Sequence, residues 1–176
     1  MSGLDSVKAK IREAFAGGVY PGDWCIVTSR EGSEPALLEQ EFRGKSDWRA
    51  LDAGFIDRAP DGFGTALSFF SDEAFRFYLP AYLLADLDGR LQQADPVFAL
   101  THGLDKGSRE QKINPRRYGE RTWLDHARHK FAMFSVEEAA AIASYLRYKL
   151  ASADIEYERA RIHEALEGYW QRRGDF

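Results

Sequence analysis

The chain has 176 residues, the size of one ordinary domain, and 44% of them are apolar, with 4 Trp, 8 Tyr and 12 Phe to fill an interior, which excludes a disordered chain. Its 24 Lys and Arg against 28 Asp and Glu leave a net charge of −4, which excludes a surface coated for polyphosphate. The single cysteine, Cys25, cannot close an internal disulfide, the start Met1-Ser2-Gly3-Leu4-Asp5 lacks the pattern of a secretion signal, and the longest apolar run, Phe77 to Ala85, is about half the roughly 18 residues of a membrane span, so a cytoplasmic protein with no membrane partner is expected.

Leu4, Val7, Ile11 and Phe15 recur at helical spacing and predict a first helix, ended by Gly17-Gly18. Trp24-Cys25-Ile26-Val27-Thr28 is apolar and β-branched enough to predict an extended segment. Ser33 as N-cap, with Pro35 just inside and Gly44 beyond the end, predicts a second helix, and Trp48, Leu51, Phe55 and Ile56 predict a brief third one before the breaks at Pro60, Gly62 and Gly64. Ser71 then caps a helix whose first turn carries Asp72 and Glu73, where negative charge suits the helix dipole. From Phe75 to Leu87 apolar side chains fall on nearly every face, so this helix is the expected centre of the core, kinked at Pro80, which lacks the N–H that would bond the Arg76 carbonyl.

Between Asp105 and Lys130, eight Lys and Arg face four acids, so this stretch carries +4 and the remainder −8. Residues 103–130 read as a basic, loop-rich insertion. Ser135-Val136-Glu137-Glu138 forms a capping box for a helix with Ala139, Ile142, Leu146 and Leu150 on one side. Asp154 is positioned to cap a last helix through Ile162, Leu166 and Tyr169, unless the two run on as one rod. The pattern predicts an all-α single domain, a bundle of five or six helices around the proline-kinked Asp72–Leu87 helix, with long loops.

Ala66-Leu67-Ser68-Phe69-Phe70-Ser71, followed by Phe75-Arg76-Phe77-Tyr78-Leu79-Pro80-Ala81-Tyr82-Leu83-Leu84, then Phe134-Ser135 and the ending Ala165-Leu166 to Tyr169-Trp170, resembles an uncharacterised bacterial domain-of-unknown-function family. The resemblance spans Arg43 to Trp170 and implies no activity, so it assigns no functional residue.

Catalytic and cofactor motifs fail on inspection. Gly44-Lys45-Ser46 imitates the end of a P-loop but has Glu39 where the first glycine belongs, and Gly62-Phe63-Gly64 offers Leu67 in place of the third glycine of a dinucleotide fingerprint. His126 and His129 could share a helix face with Asp125, but Arg128 and Lys130 repel a cation, and exposed basic surface is the stronger reading, so no metal and no cofactor are expected. Cys25 beside Trp24 and Ile26 reads as buried filler rather than a nucleophile, and no catalytic residue is assigned. Two binding surfaces are expected instead. Arg116, Arg117 and Arg121, interleaved with Tyr118 and Trp123, suit an anionic protein partner, while Glu120, Asp125 and the overall acidity argue against nucleic acid. Arg76, Tyr78 and Tyr82 could line a ligand pocket where Pro80 opens the backbone, although core packing is the stronger reading of the tyrosines. The expected function is a non-catalytic helical module that binds another protein, an immunity or regulatory partner, with a small enzyme or ligand binder at Arg76, Tyr78 and Tyr82 as the alternative.

Overall fold

Apolar residues at spacings of three and four commit most of the chain to helix, and a computed structural model, which describes residues 3–174, shows an all-helical fold with no strand among those residues. Met1 and Ser2, on which the reading of the chain start partly rests, lie outside them. Six helices reach nine residues or more among the described residues: α1 (Gly3–Ala14), α2 (Ser33–Phe42), α5 (Asp72–Leu87), α8 (Trp123–Phe131), α9 (Val136–Ser152) and α10 (Glu156–Ala165). Shorter ones, α3 (Ala53–Arg58), α4 (Ala66–Phe69), α6 (Pro96–Thr101), α7 (Pro115–Tyr118) and α11 (Gln171–Gly174), fill the connections. The described residues form two compact units, residues 11–96 and residues 3–10 with 97–174.

In the unit of residues 11–96, α5 is the buried element. The Ser71 hydroxyl accepts from Ala74 N at 3.0 Å and so starts the helix where the sequence predicts. From there it runs to Leu87 without interruption, with Pro80 buried in its middle. α3 and the 3₁₀ turn Trp48–Ala50 pack against it. Phe42, at the end of α2, holds Phe55, Phe70 and Tyr78 around it at ring separations of 5.1, 4.9 and 4.8 Å, edge-on or tilted, the arrangements aromatic quadrupoles favour. Asp57 is buried, and one of its carboxylate oxygens accepts from the backbone N–H groups of Gln92, Gln93 and Ala94 at 2.8–3.0 Å. Burial pushes its pKa up, but the three N–H groups outweigh that and hold it below the usual carboxylate value.

Three local expectations are corrected here. Trp24–Thr28 is not an extended segment: Asp23–Cys25 make a 3₁₀ turn, Trp24 is 77% exposed, and a single bridge, Val27 to Phe70, is all the pairing that this stretch finds. An isolated apolar run has no ladder to join, so local turn chemistry prevails. Ser33 is the first residue of α2 rather than its cap, which is Gly32 at φ +92°. The helix expected through Trp48 and Ile56 is two pieces, because Asp47 and Asp52 each accept a backbone N–H and start a new turn, on Arg49 and Phe55 respectively.

In the other unit, Ser135 and Glu138 form the predicted capping box at the start of α9. A second box, Thr122 with Asp125, starts α8 and draws the Asp125 carboxyl below its usual pKa through hydrogen bonds from Thr122. α9 and α10 are separate helices: the chain turns extended at Ala153, and Ile155, not Asp154, occupies the N-cap of α10 without a side-chain bond. α10 then opens into one turn of π-helix, Leu166–Trp170, and closes again as α11. Trp170 is fully buried, and its indole N–H donates to Leu100 O at 2.9 Å. At Gly103 the backbone has φ +86°, and a Cβ there would lie 2.5 Å from Trp123 O, so only glycine lets this loop meet α8.

Candidate functional site

The exposed side of α10 is set by its sequence. Ile162 and Ala165 point inward, and the opposite positions, Glu156, Ala160, His163 and Glu167, recur at four, three and four residues and are all exposed. This face forms one wall of an open groove of about 630 Å³. Leu104, Lys106 and Arg109 supply another wall, Leu150 the end of α9, and Gly168 and Arg172 continue the line beyond α10.

The rim carries four Lys and Arg, three Glu and one His, and much of it is paired internally. Glu164 accepts from Lys106 N at 2.7 Å and faces the Lys106 ammonium at 3.7 Å. Glu167 stands 3.5 Å from His163 Nδ1, an i,i+4 pair. One guanidinium nitrogen of Arg159 donates to both Leu150 O and Ala153 O, each at 3.1 Å, which satisfies carbonyls left over at the end of α9. Arg109 reaches only its sequence neighbour Glu110, at 3.8 Å, and Arg172 has no ion-pair partner among the described residues.

The two predicted sets lie in different units. Arg76 is half-buried on α5. Tyr78 is fully buried and donates to Lys45 O at 2.8 Å; Tyr82 is fully buried beside Phe70, and its hydroxyl has no hydrogen-bond partner among the described residues. Burial drives both phenols far above their usual pKa, so neither ionises at neutral pH. Neither lines the α10 groove. Arg116 and Arg117 face solvent on α7, where Arg117 lies over the Tyr118 ring at 5.6 Å, and Arg121 is half-buried beyond it. Lys112 and Thr122 bridge the base of this loop, and Lys112 pairs with Glu120 at 2.6 Å. Of the basic stretch, Lys106 and Arg109 alone reach the groove.

His126 packs edge-on against Trp123 at 5.7 Å, and among the described residues no group of three His, Cys, Asp or Glu is placed to hold a metal ion. Cys25 lies 3.8 Å from Ser71 Oγ and 3.7 Å from Glu73; burial, with the Glu73 charge, pushes its thiol pKa up, away from the thiolate that a nucleophile needs. No helix among the described residues is long and apolar enough to cross a membrane.

A family model described as a family of unknown function (DUF6714) matches residues 3–174. The chain belongs to this family. The match takes in the basic stretch and the first forty residues as well as the Arg43–Trp170 region that the aromatic motif marks. No curated protein and no solved structure matches the chain.

The α10 groove did not come out of the sequence reading. Its one available signal was Gly168, a glycine inside an otherwise helical pattern, which lowers helix stability and needs a reason.

Proposed function

We propose that this DUF6714 member is a non-catalytic helical module that binds another protein in the bacterial cytoplasm, as an immunity or regulatory partner does, and that the partner docks along α10. The observation that carries this reading is the groove itself: an open channel with apolar positions at Leu104, Leu150 and Ala160 between charged rims of both signs. A small-molecule site would enclose most of its ligand, whereas a surface channel with a polar rim suits a protein segment. Ile155 and Tyr157, 64% and 67% exposed, lie at the start of the same helix, outside the groove lining. Arg116, Arg117 and Arg121 offer a second contact to an anionic partner. The alternative, a ligand site at Arg76, Tyr78 and Tyr82, gains no support from two tyrosines sealed in the interior.

A photo-crosslinking amino acid at Ala160, compared in the native cell with the same group at Val19, which is 84% exposed in the other unit, tests the reading. One protein crosslinked from position 160 and not from 19, which then co-purifies with the chain at one to one, is the expected result. Identical products from both positions, or none from position 160, overturn it.

A further inference from the structure

We infer that the groove receives an extended acidic peptide segment whose backbone passes over Gly168 and whose carboxylates pair with Arg172 and Arg109. This rests on the docking site proposed above and names the chemistry of what docks there.

Gly168 is the first argument. It sits inside the π turn, exposed, and a Cβ built on it would meet nothing within 4 Å. A glycine in a helix interior weakens the helix relative to alanine, and it is normally retained because a side chain would collide with something or because φ is positive. Neither holds here. The open space above its backbone leaves room for a group outside this chain, as where another backbone approaches closely.

The π turn is the second. Such single turns are rare and concentrate at functional sites. Within Leu166–Trp170, Leu166 and Trp170 remain in the interior, Trp170 anchored on Leu100 O, while Glu167 and Gly168 face the groove. The irregularity thus falls where the groove runs, and it exposes the residue with no side chain.

Charge gives the polarity. Glu164 is answered by Lys106, Glu167 lies 3.5 Å from the His163 imidazole, which offsets its charge only when protonated, and Arg159 is occupied by the carbonyls of α9. What remains is Arg172 at one end and Glu156 at the other, neither with a partner among the described residues, and Arg109, whose one ion-pair contact there is the long one to exposed Glu110. Between Glu156 and Arg172 a helix rises about 24 Å, which an extended segment of about seven residues covers. The fitting segment therefore has its acids at the Arg172 end, its backbone over Gly168 and a cation over Glu156.

The test uses a fluorescein-labelled seven-residue peptide with one lysine at one end, two glutamates at the other and alanine and serine between, against its charge-inverted counterpart. Fluorescence anisotropy should show saturable binding of the acidic peptide only, with a shift of the Gly168 amide resonance. Arg172→Glu should weaken binding at least tenfold and Gly168→Leu should abolish it, with both variants keeping the wild-type circular dichroism. No binding at millimolar peptide, equal binding of the inverted peptide, or undiminished affinity in both variants overturns the inference. If the crosslink at position 160 still captures one protein while the acidic peptide fails, the docking site stands and only its acidic occupant falls.

Discussion

Two helices of this chain each contain a residue that helices avoid, and they treat it in opposite ways. α5 carries Pro80 in the buried centre of its unit and continues through it, with packed neighbours on every side. The α10–α11 helix carries Gly168 at the surface, and there the backbone widens into a π turn beside a groove. An irregular residue in the core is accounted for by what surrounds it. At the surface, with nothing within 4 Å of where its Cβ would lie, no packing in the chain accounts for it, which is what the inferred peptide would supply.

The core side of this contrast is the easiest to break. Phe42→Ala removes the ring that Phe55, Phe70 and Tyr78 share and should lower stability by about 3–5 kcal/mol, read as a shift in the denaturant midpoint at unchanged m-value. A loss below 1 kcal/mol would mean that α5 does not organise its unit through this cluster. Asp57→Ala should cost about 2–4 kcal/mol, because three backbone N–H groups lose a charged acceptor. Its folded pKa is depressed, so its contribution is present above the unfolded value near 4 and disappears as pH falls through the folded one. The wild type should therefore lose stability below about pH 4, and the alanine variant should show a flatter acid limb. Parallel acid limbs would remove Asp57 from the account.

Pro80→Ala sharpens the comparison. It restores an N–H to a helix shaped around its absence, so a change of about 1–3 kcal/mol of either sign is expected. An unchanged melting temperature would show that the neighbours of Pro80 are not fitted to it. The smallest effect is the most diagnostic. Gly168→Ala places a methyl in open space and should stabilise the chain by about 0.5–1 kcal/mol while weakening capture of the partner, so stability and binding move in opposite directions. Destabilisation would put Gly168 in the same class as Pro80.

What the sequence showed and what it hid follow the same division. The starts of α5 and α9 were legible because Ser71 and Ser135 cap them through side chains three residues away, a purely local interaction. The burial of α5 was legible because its apolar residues leave no polar face. The split at Trp48–Ile56 was not, since it arises because both nearby aspartates, Asp47 and Asp52, accept an N–H and each starts a turn of its own. Nor was the groove: the π turn is held by Trp170 reaching Leu100, seventy residues back, and no local pattern records that contact. Arg116, Arg117 and Arg121 were expected as a binding surface, but which of them face solvent was not legible: the first two are exposed on the short helix α7, which no pattern predicted, and Arg121 is half-buried.

The bridge between Lys112 and Thr122 has a practical consequence. It closes the base of a loop whose apex offers Arg116 and Arg117 to solvent, which is what trypsin requires of a substrate. A cut there leaves both new ends tied to the same body, so the nicked chain keeps its native mass and separates into two fragments only when denatured. Limited digestion thus converts the loop into a marker: a bound partner that covers the arginines slows the nick, and one that sits elsewhere leaves it untouched.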